Sequence, residues 1–524
     1  MDRMALQSDE LLPKRTFDET FDVIVIGYGY SGATAAIEAA DAGARVLVLE
    51  KMPDPGGISI CSGGSLRCAD DYDDALAYLE ATNEGTTPVD VLQVLAHAMV
   101  DLPDYVARLA ADVGRKTSSS EHAGKKGGNY PFPGWETFYH VIIEDTPDFD
   151  QKGLYPHVRA RPGAPGPRLF KVMQDNVEKR SIDVRLNAPV RKLIGNASRG
   201  VVGVVTHIDG AERMIGARRA VILACGGFEA NEEMKKQYWS GRPVLTAANR
   251  GNTGDGIRMA QSLGADLWHM WHYHGCYGFK HPDPQFPYAL RVKRLPDWNP
   301  ARKDQMQVKM VWIVVDRSGR RYMNECPPYT QDTSARPMQH FDPETMSYPR
   351  IPSYLICDES GRKMYPLGDA RTNDRDYTYD WSDSNEKEIA NGILRRADSL
   401  AGLAKLLKLD EGALTETVAR WNRACAAGRD DDFGRPAGTM FPIRNPPFYA
   451  GEVWPVVSNT QGGPVHDSRQ RILNVDGEPI PRLFAAGEMG SSFGHLYLSG
   501  GNVSECFATG IVAGREAASL APLN

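Results

Sequence analysis

From Phe21 the chain reads Phe-Asp-Val-Ile-Val-Ile-Gly27, then Tyr-Gly29-Tyr-Ser-Gly32, then an alanine-rich run that closes at Gly43. The β-branched run has strand length and little polar alternation, as in a strand of a parallel sheet covered on both faces. Ala33 to Gly43 is rich in the best helix former and ends on glycine in the helix-stop position. Arg45-Val-Leu-Val-Leu-Glu50 is a second buried strand. Strand, turn, helix and strand within about 30 residues make a right-handed βαβ unit. In the turn, Gly27 permits the tight bend, Gly29 lets backbone approach a pyrophosphate, and Gly32 lets helix and strand pack closely. The helix N-terminus offers free N–H groups and a positive dipole end to phosphates. Glu50 stands 18 residues past Gly32, where a carboxylate accepts hydrogen bonds from ribose hydroxyls and rejects a 2′-phosphate. Gly27, Gly29, Ser31, Gly32, Glu50 and Lys51 are therefore the first candidate dinucleotide contacts.

The rest of the glycine pattern selects FAD over NAD. Gly57, Ser59, Ser62, Gly63 and Gly64 form a second cluster downstream of Glu50, useful for a flavin that must lie along backbone. Ala220-Val-Ile-Leu-Ala-Cys-Gly226-Gly227 repeats the strand-then-glycine text, and Asn252-Thr-Gly-Asp255-Gly follows it. Gly487 and Glu488 end a third buried strand, and Gly501, Asn502 and Val503 open the last helix. That helix N-terminus can face the flavin pyrimidine and stabilise negative charge there. No second GxGxxG unit for a nicotinamide cofactor occurs.

The organisation expected is an α/β fold: a discontinuous Rossmann-type FAD-binding domain with an inserted α+β capping domain. The boundaries are an arm at 1–20, an FAD-binding first part at 21–272, the cap at 273–450 and the FAD-binding second part at 451–524. Residues 71–115, 168–178, 385–428 and 503–520 read as helical, and 184–218 as an antiparallel meander. Residues 117–168 carry many Gly and Pro and read as a lid, binding loop or linker. The aromatics at 130–139 form either a substrate wall or simple packing. With 42% apolar and 24% charged residues, the 524-residue chain can bury a large core. Sixty basic against sixty-seven acidic residues give a net charge of −7, no footprint for nucleic acid or an anionic membrane. No apolar run reaches spanning length, the N-terminus lacks a secretory h-region, and eight Cys without a CxxC suggest reduced thiols. The expected location is cytoplasmic.

On these motifs the chain resembles the flavoprotein family of fumarate reductases, succinate dehydrogenases and 3-ketosteroid dehydrogenases, over about residues 20–270 and 450–520. Gly319-Arg-Arg-Tyr-Met-Asn324-Glu325 adds a patch similar to the family's G-x-R-F-x-N-E segment. The resemblance implies an active site between FAD domain and cap. Fumarate-reducing members carry a proton-donating Arg four residues after that Glu, where this chain has Tyr329. They carry a carboxylate-binding Arg just before Gly-Gly-Asn, where this chain reads His495-Leu-Tyr497-Leu-Ser499. A dicarboxylate calls for paired guanidinium groups, so Tyr and Ser suit an uncharged carbonyl. The histidine anchor for covalent flavin is absent around 57–62, which implies non-covalent FAD.

Tyr329, Tyr497 and Ser499 together resemble the Δ4-(5α) branch of the 3-ketosteroid dehydrogenases. By that resemblance Tyr497 hydrogen-bonds the ketone, Ser499 abstracts the α-proton, Tyr329 assists Ser499, and the β-hydride passes to flavin N5. The implied reaction is 4,5-desaturation of a 3-keto-5α-steroid. The alternatives are a desaturase of another cyclic ketone and an enone or enoate reductase of the fumarate-reductase type. The partners implied are an apolar cyclic ketone or steroid and an external electron acceptor, a quinone or a redox partner. Ser499 has a plainer reading as a helix cap, and Tyr329 as a Pro-Pro-Tyr packing corner. His269, His272 and His274, beside Trp268 and Trp271, read as lining the cap or packing under it rather than as a metal site, and Cys61 and Cys68 as structural thiols.

Overall fold

The computed structural model describes residues 17–120, 127–161, 163–196, 200–295 and 308–523. Most of the arm assigned to 1–20 lies outside them, and the first strand, Glu19–Ile26, begins inside its last two residues. Six of its eight residues are buried, as a central strand requires. It pairs in parallel with Val46–Leu49 on one side and with the long strand Ala211–Leu223 on the other. Pro479–Ala485 and Asp183–Arg185 extend the parallel strands on either side, and Arg471–Leu473 pairs antiparallel outside Pro479–Ala485. The meander expected over 184–218 is Val190–Asn196, Gly200–Ile208 and the first half of Ala211–Leu223, paired antiparallel.

The first helix, Tyr30–Asp41, crosses this sheet and packs against the C-terminal helix, Gly501–Ser519. The contact is close because both helices present small residues. A Cβ on Gly514 would lie 2.5 Å from the Ala35 carbonyl oxygen. Apolar side chains of the sheet's two faces form two separate buried clusters, so both faces are dry.

A second sheet takes strands from 245 to 460. Phe448–Thr460 is its spine, flanked by Tyr273–Lys280 and Ser353–Asp358. Ala289–Val292 joins the far side of Tyr273–Lys280. One expectation fails here: the run 385–428 is not continuously helical. Gly392, at φ +84°, ends the short helix Glu386–Ala390 region, and Leu394–Ala397 pairs antiparallel with the spine. The buried Leu394 gains more by sheet pairing than its helical propensity offers. Helices Leu400–Leu407 and Glu411–Ala427 follow.

The described residues of the segment 117–168 also hold more regular structure than its Gly and Pro content suggests. Phe138–Ile143 pairs with Leu66–Ala69 and Thr117–Ser119 in a three-stranded sheet. Its Phe-Tyr-His-Val-Ile-Ile text is aromatic and β-branched, and pairing outweighs the flanking turn residues. Among the described residues no helix is long and apolar enough to cross a membrane.

Candidate active site

A cavity of about 570 Å³ opens where the parallel strands of the first sheet end and the second sheet faces them. In open α/β sheets this crevice outside the carboxyl ends of the strands is where ligands bind. Ile26 and Gly27, Leu49 and Glu50, Ala224 and Glu488 line it from four strand ends. Of the residues expected to hold FAD, Gly29, Ser31, Lys51, Gly57, Ser59, Ser62, Gly63, Gly64, Gly226, Asn252, Asp255, Asn502 and Val503 also line it. Gly32, Gly487 and Gly501 do not; they act by close packing behind the wall. A Cβ on Gly32 would sit 2.0 Å from the Gly27 carbonyl oxygen, and one on Gly487 2.6 Å from Ser31 Oγ.

The lining fits a dinucleotide. Gly27, at φ +105°, leaves no space for a side chain, since a Cβ would lie 2.3 Å from the Ala224 carbonyl oxygen. Ser59 Oγ accepts from the Tyr30 amide at 3.1 Å and so ties the second glycine loop to the start of the first helix. Glu50 accepts from the Tyr28 and Met52 amides at 2.9 and 2.8 Å, which fixes its carboxylate at the end of the second strand. Lys51 and Asp255 pair with each other at 2.7 Å, so they enter the wall as one ionic clasp. Asn252 turns its amide to Glu229 at 2.6 Å, and buried Glu229 pairs with Glu488, which reaches the cavity. Burial holds both carboxyls above the ordinary range, so the pair retains a proton.

The three expected catalytic residues enter the same cavity, although Tyr329 lies more than 160 residues from the other two. All are buried: Tyr329 at 1%, Tyr497 at 5% and Ser499 at 4% exposure. The Tyr329 and Tyr497 rings stand 5.9 Å apart, and His274 packs against both, at 4.0 Å from the Tyr497 ring. Burial and the neighbouring Tyr329 push the Tyr497 hydroxyl well above its usual range, so it is a neutral donor. Ser499 is clamped by its backbone. Its N–H donates to Asn129 Oδ1 at 2.8 Å and its C=O accepts from Arg67 Nε at 2.7 Å. Its hydroxyl does not cap the C-terminal helix, whose N-cap is Gly500; instead Oγ accepts from Arg294 Nη2 at 3.1 Å.

His274 was not distinguished by its sequence from the other histidines of that segment. Its Nδ1 lies 2.9 Å from Asn459 Oδ1, an acceptor, so Nδ1 carries the proton. Nε2 is then left to accept from the Tyr329 hydroxyl at 3.4 Å. Burial pushes the ring down to about 3, so it is neutral. His269 and His272 are structural: their Nδ1 atoms lie 2.8 and 3.0 Å from the Ser491 and Phe493 carbonyls. Cys61 and Cys68 are free and buried, and burial pushes both thiols up to about 12, out of reactive range.

Of the two readings left open for the aromatics at 130–139, packing holds for Tyr130 and Phe138, which join Tyr329 and Tyr497 in one apolar cluster and do not line the cavity. The cavity does hold arginine. Arg161, Arg291, Arg294 and Arg371 line it, from positions other than the two that Tyr329 and the Tyr497–Ser499 segment occupy. No spacing in the sequence ties these four to one another, which is why only the fold reveals them. Asp332 links the two catalytic segments: Oδ2 accepts from the Tyr130 hydroxyl at 2.8 Å and from the Tyr497 amide at 3.0 Å. Burial would raise its carboxyl, but Arg336 and His272 outweigh burial and hold it far below the ordinary range.

This arrangement, a dinucleotide crevice facing a buried set of proton-handling groups, defines a flavin-dependent oxidoreductase. The chain belongs to the FAD binding domain family, whose profile matches residues 22–503. It is 28% identical over 519 residues to a fumarate reductase (cytochrome) of Shewanella frigidimarina, covering 97% of this chain and 78% of that one. It is 28% identical over 588 residues to a 3-oxosteroid 1-dehydrogenase of Mycolicibacterium smegmatis, covering 96% and 98%. In fold it is similar to 3-ketosteroid Δ1-dehydrogenase of Sterolibacterium denitrificans, with a TM-score of 0.79, 24% identity, and 96% and 100% of the two chains covered.

Proposed function

We propose that the chain is an FAD-dependent dehydrogenase that introduces a C=C bond beside the ketone of a 3-ketosteroid, by 4,5-desaturation of the 5α form. The observation that carries this reading is the meeting of Tyr497, Ser499 and Tyr329 in the cavity, with Arg294 on the serine hydroxyl. The ketone acidifies the neighbouring C–H, and Tyr497, held neutral, donates to its oxygen as negative charge develops there. Ser499 Oγ takes the α-proton. A serine is a weak base, and Arg294 corrects this by stabilising negative charge on Oγ. The hydroxyl proton that Ser499 gives up leaves through Tyr329 or a water, and Tyr329 faces the neutral acceptor His274 Nε2. FAD, when bound, supplies the two-electron acceptor for the β-hydrogen. It would be held without a covalent link by the glycine loops, Glu50 and the N-terminus of the last helix. An external acceptor, a quinone or redox partner, would then reoxidise it.

The test is anaerobic mixing of the FAD-loaded protein with 5α-androstane-3,17-dione. Rapid loss of the visible flavin band, abolished by Ser499→Ala and Tyr497→Phe, is expected. If dithionite-reduced protein is instead reoxidised only by an enone or an enoate, the enzyme runs as a reductase. The four cavity arginines are the observation that favours this second reading.

A further inference from the structure

The second sheet brings buried positive charge to the cavity that the other described residues do not balance. Arg291 lies on strand Ala289–Val292 and is 5% exposed. One Nη donates to Gln331 Oε1, and Nε has no acceptor. Among the described residues no carboxylate stands within ion-pair distance of it. Arg371 is 7% exposed and its Nε and Nη2 share one oxygen of Asp369, at 3.2 and 3.0 Å, while the other oxygen of Asp369 has no partner. Burial, together with the like charges of Arg291 and Arg294, holds the Arg371 guanidinium below its ordinary range. A buried guanidinium without a counter-ion is unfavourable, and proteins retain one where a ligand supplies the missing charge.

The phosphates of a dinucleotide do not account for Arg291. Their place is the glycine turn and the helix N-terminus of the first sheet. Arg291 instead contacts Gln331, two residues from Tyr329, and Arg294, three residues on, contacts Ser499. The unmatched charge therefore belongs to the compartment where the reacting carbonyl sits. A planar fork of donors matches a carboxylate in bidentate fashion.

We propose that Arg291 is the anchor of an anion subsite, and that the substrate is an oxo acid: a ketone carrying a carboxylate on the same molecule. This deepens the ketone reading of Tyr497 and Ser499 and rests on it. Arg371 adds long-range attraction, and Gln331 orients the Arg291 fork.

The test is titration of the oxidised, FAD-loaded protein, under anaerobic conditions, with three compounds. These are 4-oxocyclohexane-1-carboxylate, its methyl ester, and cyclohexanecarboxylate. Kd is read from perturbation of the flavin absorbance. The oxo acid should bind about tenfold to a hundredfold more tightly than the ester, the range for hydrogen bonds to a charged partner. Arg291→Met should weaken the acid alone, and Arg291→Lys should restore only part of the preference. Arg291→Met should also melt at a higher temperature in the absence of ligand, because a buried cation without a counter-ion is gone. Equal affinities for acid and ester in the wild type, no perturbation by the acid, or an equal loss for both in Arg291→Met would each overturn the proposal. The wild-type comparison decides even if the variants do not fold. Flavin bleaching in the same titrations reports the ketone chemistry separately. Bleaching by acid and ester with equal Kd would keep that chemistry and remove the anion subsite. Arg291-dependent binding of cyclohexanecarboxylate without bleaching by either ketone would keep the subsite and remove the ketone chemistry.

Discussion

The first sheet gives the cavity a wall of main chain and glycine, whereas the second sheet gives it a wall of side chains: His274, Arg291, Arg294, Tyr329, Gln331 and Arg371. The glycine wall is local in sequence, built from short loops that each follow a strand. It can take only one shape, because any Cβ at Gly27 or Gly32 would strike backbone. The side-chain wall is gathered from separate strands and turns, and its chemistry lies in how charges and hydroxyls meet. On the reading proposed above, the main-chain wall holds the dinucleotide, and the side-chain wall, together with Tyr497 and Ser499 from the segment before the last helix, acts on the molecule beside it.

This division can be broken from either side. The largest effect is expected from Gly32→Val, whose Cβ would approach a carbonyl oxygen to 2.0 Å. The protein should lose about 3 kcal/mol or more of stability and purify without yellow colour, measured as FAD per protein. Ser499→Ala should keep its full complement of FAD and lose about 10²- to 10⁴-fold in turnover with a dye acceptor, the range for a lost general base. If it also lost FAD, the walls would not be separable. Arg294→Met should lower turnover less, by roughly tenfold if its contact with Oγ contributes about 1.4 kcal/mol. It should also move the acid limb of the rate profile to higher pH, because a serine without a cationic donor is harder to ionise.

The smallest effect sharpens the boundary between the walls. Glu505, in the first turns of the last helix, accepts from Ser491 Oγ at 2.7 Å, from the Ser492 amide at 2.5 Å and from Asn502 Nδ2 at 3.1 Å. Burial nevertheless raises its carboxyl to about 7. A carboxyl whose folded value is raised binds more protons in the folded state. Its contribution is therefore fully present below the ordinary glutamate range and is lost as pH rises through about 7. Thermal melts of wild type should fall across that window, and Glu505→Gln should flatten the slope.

The legibility of the sequence follows the same division. The βαβ unit, the glycine loops and the strand-end acids could be read directly, because each obeys a local rule of turn, period or helix end. Tyr329, Tyr497 and Ser499 were singled out only through family resemblance, and the structure brings the three to one cavity. His274 was noted only as one of three histidines by the cap, and the cavity arginines were not singled out, because nothing in a strand's text says that its side chain will end beside another 200 residues away. The helical reading of 394–397 failed for a related reason: pairing with Phe448–Thr460 decides that segment, and the partner lies 50 residues on. The loop reading of 117–168 missed the strand Phe138–Ile143, whose partner is Leu66–Ala69, although Ser120, His140, Ile142 and Arg161 of that segment do line the cavity.

Asp332 ties the segment of Tyr329 to the segment of Tyr497. It sits three residues after Tyr329 and takes the backbone amide of Tyr497 directly. This carboxylate is a strut between the turn that carries Tyr329 and the segment that carries Tyr497, so displacing either one breaks or drags the bond and couples the positions of the two rings.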